Sequence, residues 1–221
     1  MNAVIFPLFV LSAALATLAA PWALALPWLA WVFKPLATIL VIVHAAQRGE
    51  AGSLERRALV AGLVFSLVGD VALLWPQQGF VPGLVAFLIA HLAYLVALTR
   101  RVPLAGWWPA FAGYAVVAGG ILALLWPGVP AALRVPVGVY VVCLASMAAQ
   151  VAVVWWRHRG TAFAHRAGWA AVGGALFVFS DAMIAVDRFA QPLPAASLFI
   201  LPAYWVAQWL IAGWLAPRHT P

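Results

Sequence analysis

Residues 80–98 read FVPGLVAFLIAHLAYLVAL, an almost unbroken apolar run whose single ionisable side chain is His91. A helix needs about 20 apolar residues to cross the hydrocarbon core of a bilayer. The period-2 alternation of a barrel strand is absent, so the run reads as a membrane-spanning helix. Runs of the same kind lie on both sides of it. With residues 80–98 as the fourth, the expected spans are about 4–20, 28–46, 58–75, 80–98, 104–126, 134–156, 166–186 and 196–216. Eight spans use about 160 residues. The chain has 221, so only tails and short loops remain, and residues 1–221 read as a single membrane domain. The fold class is all-α, a polytopic bundle of eight transmembrane helices.

Composition agrees. Hydrophobic residues make up 67% of the chain and charged residues 8%, against about 25% charged in a soluble domain. Soluble, disordered and collagen-like classes are excluded on these figures. A lone cysteine, Cys143, excludes a disulfide scaffold. The net charge of +7 is not a nucleic-acid signal, because the cations sit in membrane loops. Arg48, Arg56, Arg57, Arg100, Arg101, Arg157, Arg159, Arg166 and Arg218 fall on one side, and only Arg134 and Arg188 on the other. Cytoplasmic loops are enriched in Lys and Arg, which places both termini in the cytoplasm and the chain in the cell's inner (plasma) membrane. Ala23-Leu24-Ala25 has the form of a signal cleavage site, but Met1-Asn2-Ala3 carries no cation, so the first run is expected to stay as a span. Trp107-Trp108 and Trp155-Trp156 mark span ends as interfacial anchors.

Ionisable groups inside spans are costly and point to function. They are Lys34, Asp70, His91 and Asp181, with Ser66, Tyr94, Ser146, Gln150, Ser180, Tyr204 and Gln208 as uncharged companions. At the rise of a helix, Asp70 and Asp181 lie about 7 Å below the outer ends of their spans, and Lys34 about 9 Å. Tyr204, His91 and Gln208 follow at about 12, 16 and 18 Å. These six side chains are therefore expected to line one cavity in the outer half of the bilayer. Helical phase agrees: Gly62, Ser66, Gly69 and Asp70 share a face, as do Gly83, Phe87, His91 and Tyr94, and Gly173, Phe177 and Asp181. The segments GLVFSLVGD (62–70) and GGALFVFSD (173–181) also resemble one another, which hints at a parallel repeat of spans one to four and five to eight. For Ser66 and Ser180 a bond back to the helix's own carbonyl competes with a direct role. For the acids, the competing role is a structural pair with Lys34, which only one of them can form.

Read together, KPL (34–36), FSLVGD (65–70), FVPGLVAFLIAHLAY (80–94), GALFVFSD (174–181) and YWVAQ (204–208) resemble the YhhN family of integral membrane proteins. The resemblance runs from about residue 30 to 215. It implies an eight-span helical protein. It also implies hydrolysis of the vinyl ether bond of lysoplasmalogens, alkenyl lysophospholipids with ethanolamine or choline headgroups, to a fatty aldehyde and a glycerophosphodiester.

These residue types suit that chemistry. A vinyl ether is hydrolysed by protonating its β-carbon, which leaves an oxocarbenium ion that water attacks at the α-carbon. The site needs a proton donor, a negative charge beside the cation and a base for water. Glycosidases meet a related problem with two carboxyl groups. A low-dielectric site favours the neutral carboxyl, whereas a cation beside a carboxyl keeps it ionised. Asp70 and Asp181 are thus expected to share the acid and base roles, individually unassigned, with His91 sharing the proton or orienting water. Lys34 either pairs with an acid or binds the lipid phosphate. Tyr204, Gln208, Ser66, Ser180 and Tyr94 complete the expected substrate-binding set. No cofactor or metal is expected, and the expected partner is a lysophospholipid, not a nucleic acid, with oligomeric state open. A metal site of Asp70, His91 and Asp181 and a proton-coupled transporter of a small amphiphile are the competing readings. The first lacks a usual ligand set, and the second would use the buried acids as a proton relay.

Overall fold

The computed structural model describes residues 2–217. Met1 and residues 218–221, which include Arg218 and His219, lie outside the described residues. Eight helices follow in order: α1 (Asn2–Leu18), α2 (Pro27–Ala46), α3 (Leu54–Ala72), α4 (Phe80–Thr99), α5 (Trp108–Leu125), α6 (Ala131–Arg157), α7 (Ala164–Phe189) and α8 (Ala196–Ala212). One 3₁₀ turn, Trp126–Gly128, joins α5 to α6. Among the described residues there is no strand beyond an isolated bridge of Arg48 with Pro217. α2, α4, α6, α7 and α5 with its 3₁₀ turn are long and apolar enough to cross a membrane. α1 and α8 are apolar but 17 residues each, and α3 starts among charges, Glu55, Arg56 and Arg57.

The helices stand where the eight spans are expected, and their ends move for local reasons. α3 starts at Leu54, not 58, because Ser53 caps it, its Oγ accepting from the Arg56 amide at 3.3 Å. α5 starts at Trp108, not 104, because Ala105 sits at φ +56° in a turn. α1 stops at Leu18, not 20, where the Leu24 amide folds back onto the Leu18 carbonyl at 3.0 Å. α8 stops at Ala212, not 216, and the chain beyond it is tied down. Arg48 donates to the carbonyls of Gly213 and Leu215 at 3.3 and 3.0 Å. The shift with most consequence is in α7, which runs to Phe189, beyond the expected end at 186, and so carries Asp187 and Arg188 on helix.

Neighbouring helices pack in the order α2–α3–α4–α6–α7–α8, and α8 returns to α2 to close a ring. α1 lies against α2 and α8, and α5 against α6 and α7, each outside that ring. The two halves share an order of neighbours. Each half runs second helix on third and third on fourth, and each fourth helix meets the second helix of the other half. It breaks at α1, which packs on the end of the opposite half, whereas α5 stays on its own. Close approach uses small residues. A Cβ on Gly62 would stand 2.3 Å from the Tyr94 ring, and one on Gly174 would stand 3.2 Å from Ala148.

The outer surface is apolar, as lipid contact requires. Val116, Leu124 and Val135 are 76%, 83% and 75% exposed. α1 and α8 are antiparallel: Phe6 and Phe9 pack on Trp209, while Trp22 bonds Ser197 at 2.7 Å. Both ends of the described chain thus share one end of the bundle. That end also gathers arginines. Arg101 forms a forked pair with Glu55 and lies over the rings of Phe163 and Trp214. Burial and nearby Arg166 push the Arg48 guanidinium below its ordinary range. Gln150 belongs to this end: it bonds Val102 O, Pro103 O and Ala105 N, anchoring the α4–α5 loop.

Candidate functional site

A cavity of about 450 Å³ lies between the ring helices and α5, toward the arginine-poor end. That volume suits a small-molecule site. α2 contributes Lys34 to its wall, α3 Asp70, α6 Tyr140, α7 Ser180 and Asp181, and α8 Tyr204. Most of the remaining wall is aliphatic and aromatic, and α5 supplies part of it through Ala118, Ile121, Leu122 and Leu125. The two acids therefore face one space. Each lies on the third helix of its half and is bonded from the second.

Asp70 is 1% exposed and fully engaged. Its Oδ2 accepts from Thr38 Oγ1 and from Tyr204 OH, each at 2.6 Å. Its Oδ1 lies 3.4 Å from Lys34 Nζ, which also donates to the Asp70 carbonyl at 3.2 Å. Burial without such partners would be costly for both charges. The network continues inward. Gln208 Nε2 donates to Tyr204 OH, and Tyr94 OH donates to Gln208 Oε1, both at 3.0 Å. Tyr94 has then used its one proton, so Ser66 Oγ donates to it at 3.2 Å. Ser66, Tyr94 and Gln208 are buried behind the wall and do not line the cavity. They hold Tyr204 in place.

Asp181 has a different setting. Tyr140 OH donates to its Oδ2, and no cation pairs with it among the described residues. His91 Nε2 lies 3.1 Å from the same phenol oxygen. Since Tyr140 gives its proton to Asp181, His91 must donate from Nε2, which leaves Nδ1 as an acceptor. That Nδ1 is buried and without a partner among the described residues. His91 is fully buried and reaches the cavity only through Tyr140. Phe177 packs edge-on against His91 at 4.8 Å and against Tyr204 at 5.5 Å, and so stands between the two networks.

Of the six side chains expected to converge, Lys34, Asp70, Asp181 and Tyr204 line the cavity, while His91 and Gln208 stand one layer back. Ser180 lines it too, but its hydroxyl is bonded to the Ile200 carbonyl of α8 at 3.0 Å, not to its own helix. Sequence reasoning passed over Thr38 and Tyr140. Tyr140 had a signal: a phenol in the middle of an apolar span, in phase with the inward Leu144. Among the described residues no three His, Cys, Asp or Glu side chains are grouped to hold a metal, so the site of Asp70, His91 and Asp181 weighed above is not assembled.

The fold and cavity define a class: a polytopic helical membrane protein with two acids on one cavity wall. Comparison with known sequences narrows it. The model of the YhhN family matches residues 29–215, and the chain belongs to that family. Human lysoplasmalogenase TMEM86B is 38% identical over 157 residues, covering 69% of this chain and 61% of that protein. A protein of Mycobacterium tuberculosis (strain CDC 1551 / Oshkosh) named lysoplasmalogenase is 34% identical over 195 residues, 84% of this chain and 70% of that one. An uncharacterized membrane protein YhhN of Escherichia coli O157:H7 is 33% identical over 99 residues, 45% and 47% of the two chains. The chain thus spans less than two thirds of the human relative's length. No solved structure matches.

Proposed function

We propose that this chain hydrolyses the vinyl ether bond of alkenyl lysophospholipids, releasing a fatty aldehyde and a glycerophosphodiester. The observation that carries the reading is the asymmetry of two acids on one cavity wall: Asp70 is paired with a cation, and Asp181 is not. Relatives named lysoplasmalogenases supply the reaction class.

The asymmetry supports a division of roles between the two acids. Asp181, with a phenol on one oxygen and no cation, is the proton donor to the β-carbon. Asp70, held by Lys34, Thr38 and Tyr204, is the fixed carboxylate that stabilises the oxocarbenium ion. After proton transfer Asp181 is a carboxylate and takes a proton from the water that adds at the α-carbon. The hemiacetal then breaks its bond to the glycerol oxygen, which recovers a proton as the aldehyde forms. His91 and Tyr140 orient Asp181. General acid catalysis of this kind contributes about 10²–10⁴-fold. We place the arginine-rich end on the cytoplasmic side of the plasma membrane, and the cavity in the outer half of the bilayer.

The test is aldehyde release by purified protein from an alkenyl lysophospholipid, with the alkyl ether analogue as control. Asp70→Asn and Asp181→Asn are each expected to lose at least about a hundredfold in kcat. Folded variants with near wild-type turnover would remove both acids from the mechanism.

A further inference from the structure

Lys34 is already engaged: its ammonium is bonded to Asp70 on both the side chain and the carbonyl. A lipid phosphate needs another cation. Only Arg134 and Arg188 lie on the arginine-poor side, and of these Arg188 lines the cavity. Its guanidinium is fixed in two ways. Nη1 donates to the Pro76 carbonyl at 3.1 Å, and the group lies 3.8 Å over the Phe80 ring. Nε and Nη2 have no partner among the described residues, and no carboxylate pairs with the group there. Arginine presents such a fork to phosphate oxygens. Beside it, Asp187 also lines the cavity. Its Oδ1 accepts from the Leu193 amide at 2.7 Å, and its Oδ2 has no partner among the described residues.

We infer that Arg188 and Asp187 form a headgroup clamp at the cavity mouth, Arg188 for the phosphate and Asp187 for the ammonium of a zwitterionic lysophospholipid. Placement fits. Arg188 follows Asp181 by two helical turns on one face of α7, about 10 Å along the axis. In the substrate the phosphate follows the ether oxygen by the glycerol backbone, about 6 Å at ordinary bond lengths. The side chains span the difference. The clamp rests on the reading of the cavity as a lysolipid site, and it fixes which end of the lipid faces the mouth. It also explains why an exposed arginine stands on the side where the chain is otherwise poor in cations.

The experiment measures binding, not turnover. Alkyl ether lysolipids lack the vinyl ether and survive, so their dissociation constants can be read in detergent solution with the full chain. The probes are alkyl lysophosphatidylethanolamine, alkyl lysophosphatidylglycerol, which keeps phosphate and lacks the ammonium, and alkylglycerol, which lacks both. Arg188→Ala is expected to weaken both phospholipids by about ten- to a hundredfold and to leave alkylglycerol unchanged. Arg188→Lys should recover part of the loss. Asp187→Asn should weaken the ethanolamine lipid and spare the phosphatidylglycerol analogue. Should Arg188→Ala not fold, the Lys and Asn variants carry the test. Unchanged phospholipid affinity in the Arg188 variants, or equal loss of alkylglycerol, overturns the clamp. Arg188-dependent binding without aldehyde release from the alkenyl lipid keeps the clamp and overturns the hydrolase reading instead.

Discussion

Lys34→Met removes one half of a buried ion pair while nearly preserving side-chain length. The Lys34 and Asp70 side chains are 11% and 2% exposed, and their charges are 3.4 Å apart. Breaking a buried pair from one side costs about 3–5 kcal/mol, most of it the penalty of the orphaned charge. Thr38 and Tyr204 still donate to Asp70 at 2.6 Å, which puts the expected loss near the lower limit, about 3 kcal/mol. For a chain of this length that is about 6–12 °C in Tm. Neutralising both partners, as Lys34→Met with Asp70→Asn, removes the orphaned charge and should recover most of the stability, to within about 1 kcal/mol of the parent. Activity should not recover, because the double variant lacks the Asp70 carboxylate. The assay is thermal unfolding in one detergent for the parent, both single variants and the double variant, with aldehyde release measured beside it. A Lys34→Met protein as stable as the parent would refute the energetic reasoning. A double variant that regains turnover would refute the role given to Asp70.

Other consequences are as direct. Tyr140→Phe keeps the ring and removes the hydroxyl between His91 and Asp181. It should lower kcat about tenfold or more with little change in KM, and His91→Ala in the same background should add much less than it does alone. Gly62→Ala places a methyl against the Tyr94 ring, which a Cβ would approach to 2.3 Å. It should cost about 1–3 kcal/mol in thermal unfolding, whereas Gly113→Ala, with open space at its Cβ, should not destabilise. Chelator treatment of purified protein should leave aldehyde release unchanged, since the described His, Cys, Asp and Glu side chains form no three-membered cluster. A loss restored by added zinc would reverse that reading.

The helices were legible because each is an apolar run of bilayer length, and length and apolarity are local properties. Their ends were less so. The Ser53 cap could be read from the chain, but the end of α7 was drawn short because two charges, Asp187 and Arg188, look like a loop. Helical phase put Asp70 and Asp181 on inward faces, depth set Lys34 and Tyr204 near them, and all four reach the cavity. Depth alone could not separate the wall from the layer behind it. His91 and Gln208 are as inward as the others, and what hides them is a neighbour, Tyr140 in one case and Tyr204 in the other. Such screening depends on which helices adjoin, and a hydropathy pattern carries no record of that. Tyr140, unlike Tyr94 and Tyr204, lies outside the segments that resemble the family and on a span with no Lys, His or Asp, so little along the chain points to it before its partner is known.

The order in which the acids meet their partners bears on how the chain enters the membrane. Helices emerge from the ribosome N-terminal end first, and a carboxylate alone in hydrocarbon is costly. Asp70 finds Lys34 and Thr38 on the helix made just before its own, 36 and 32 residues upstream. Asp181 finds Tyr140 in the same way, 41 residues upstream. Each acidic span can therefore leave the translocon as half of a hairpin whose polar groups already answer one another. Tyr204 reaches Asp70 from 134 residues downstream, with the last helix. That final bond comes last, and it completes the cavity wall only once the whole chain has been made.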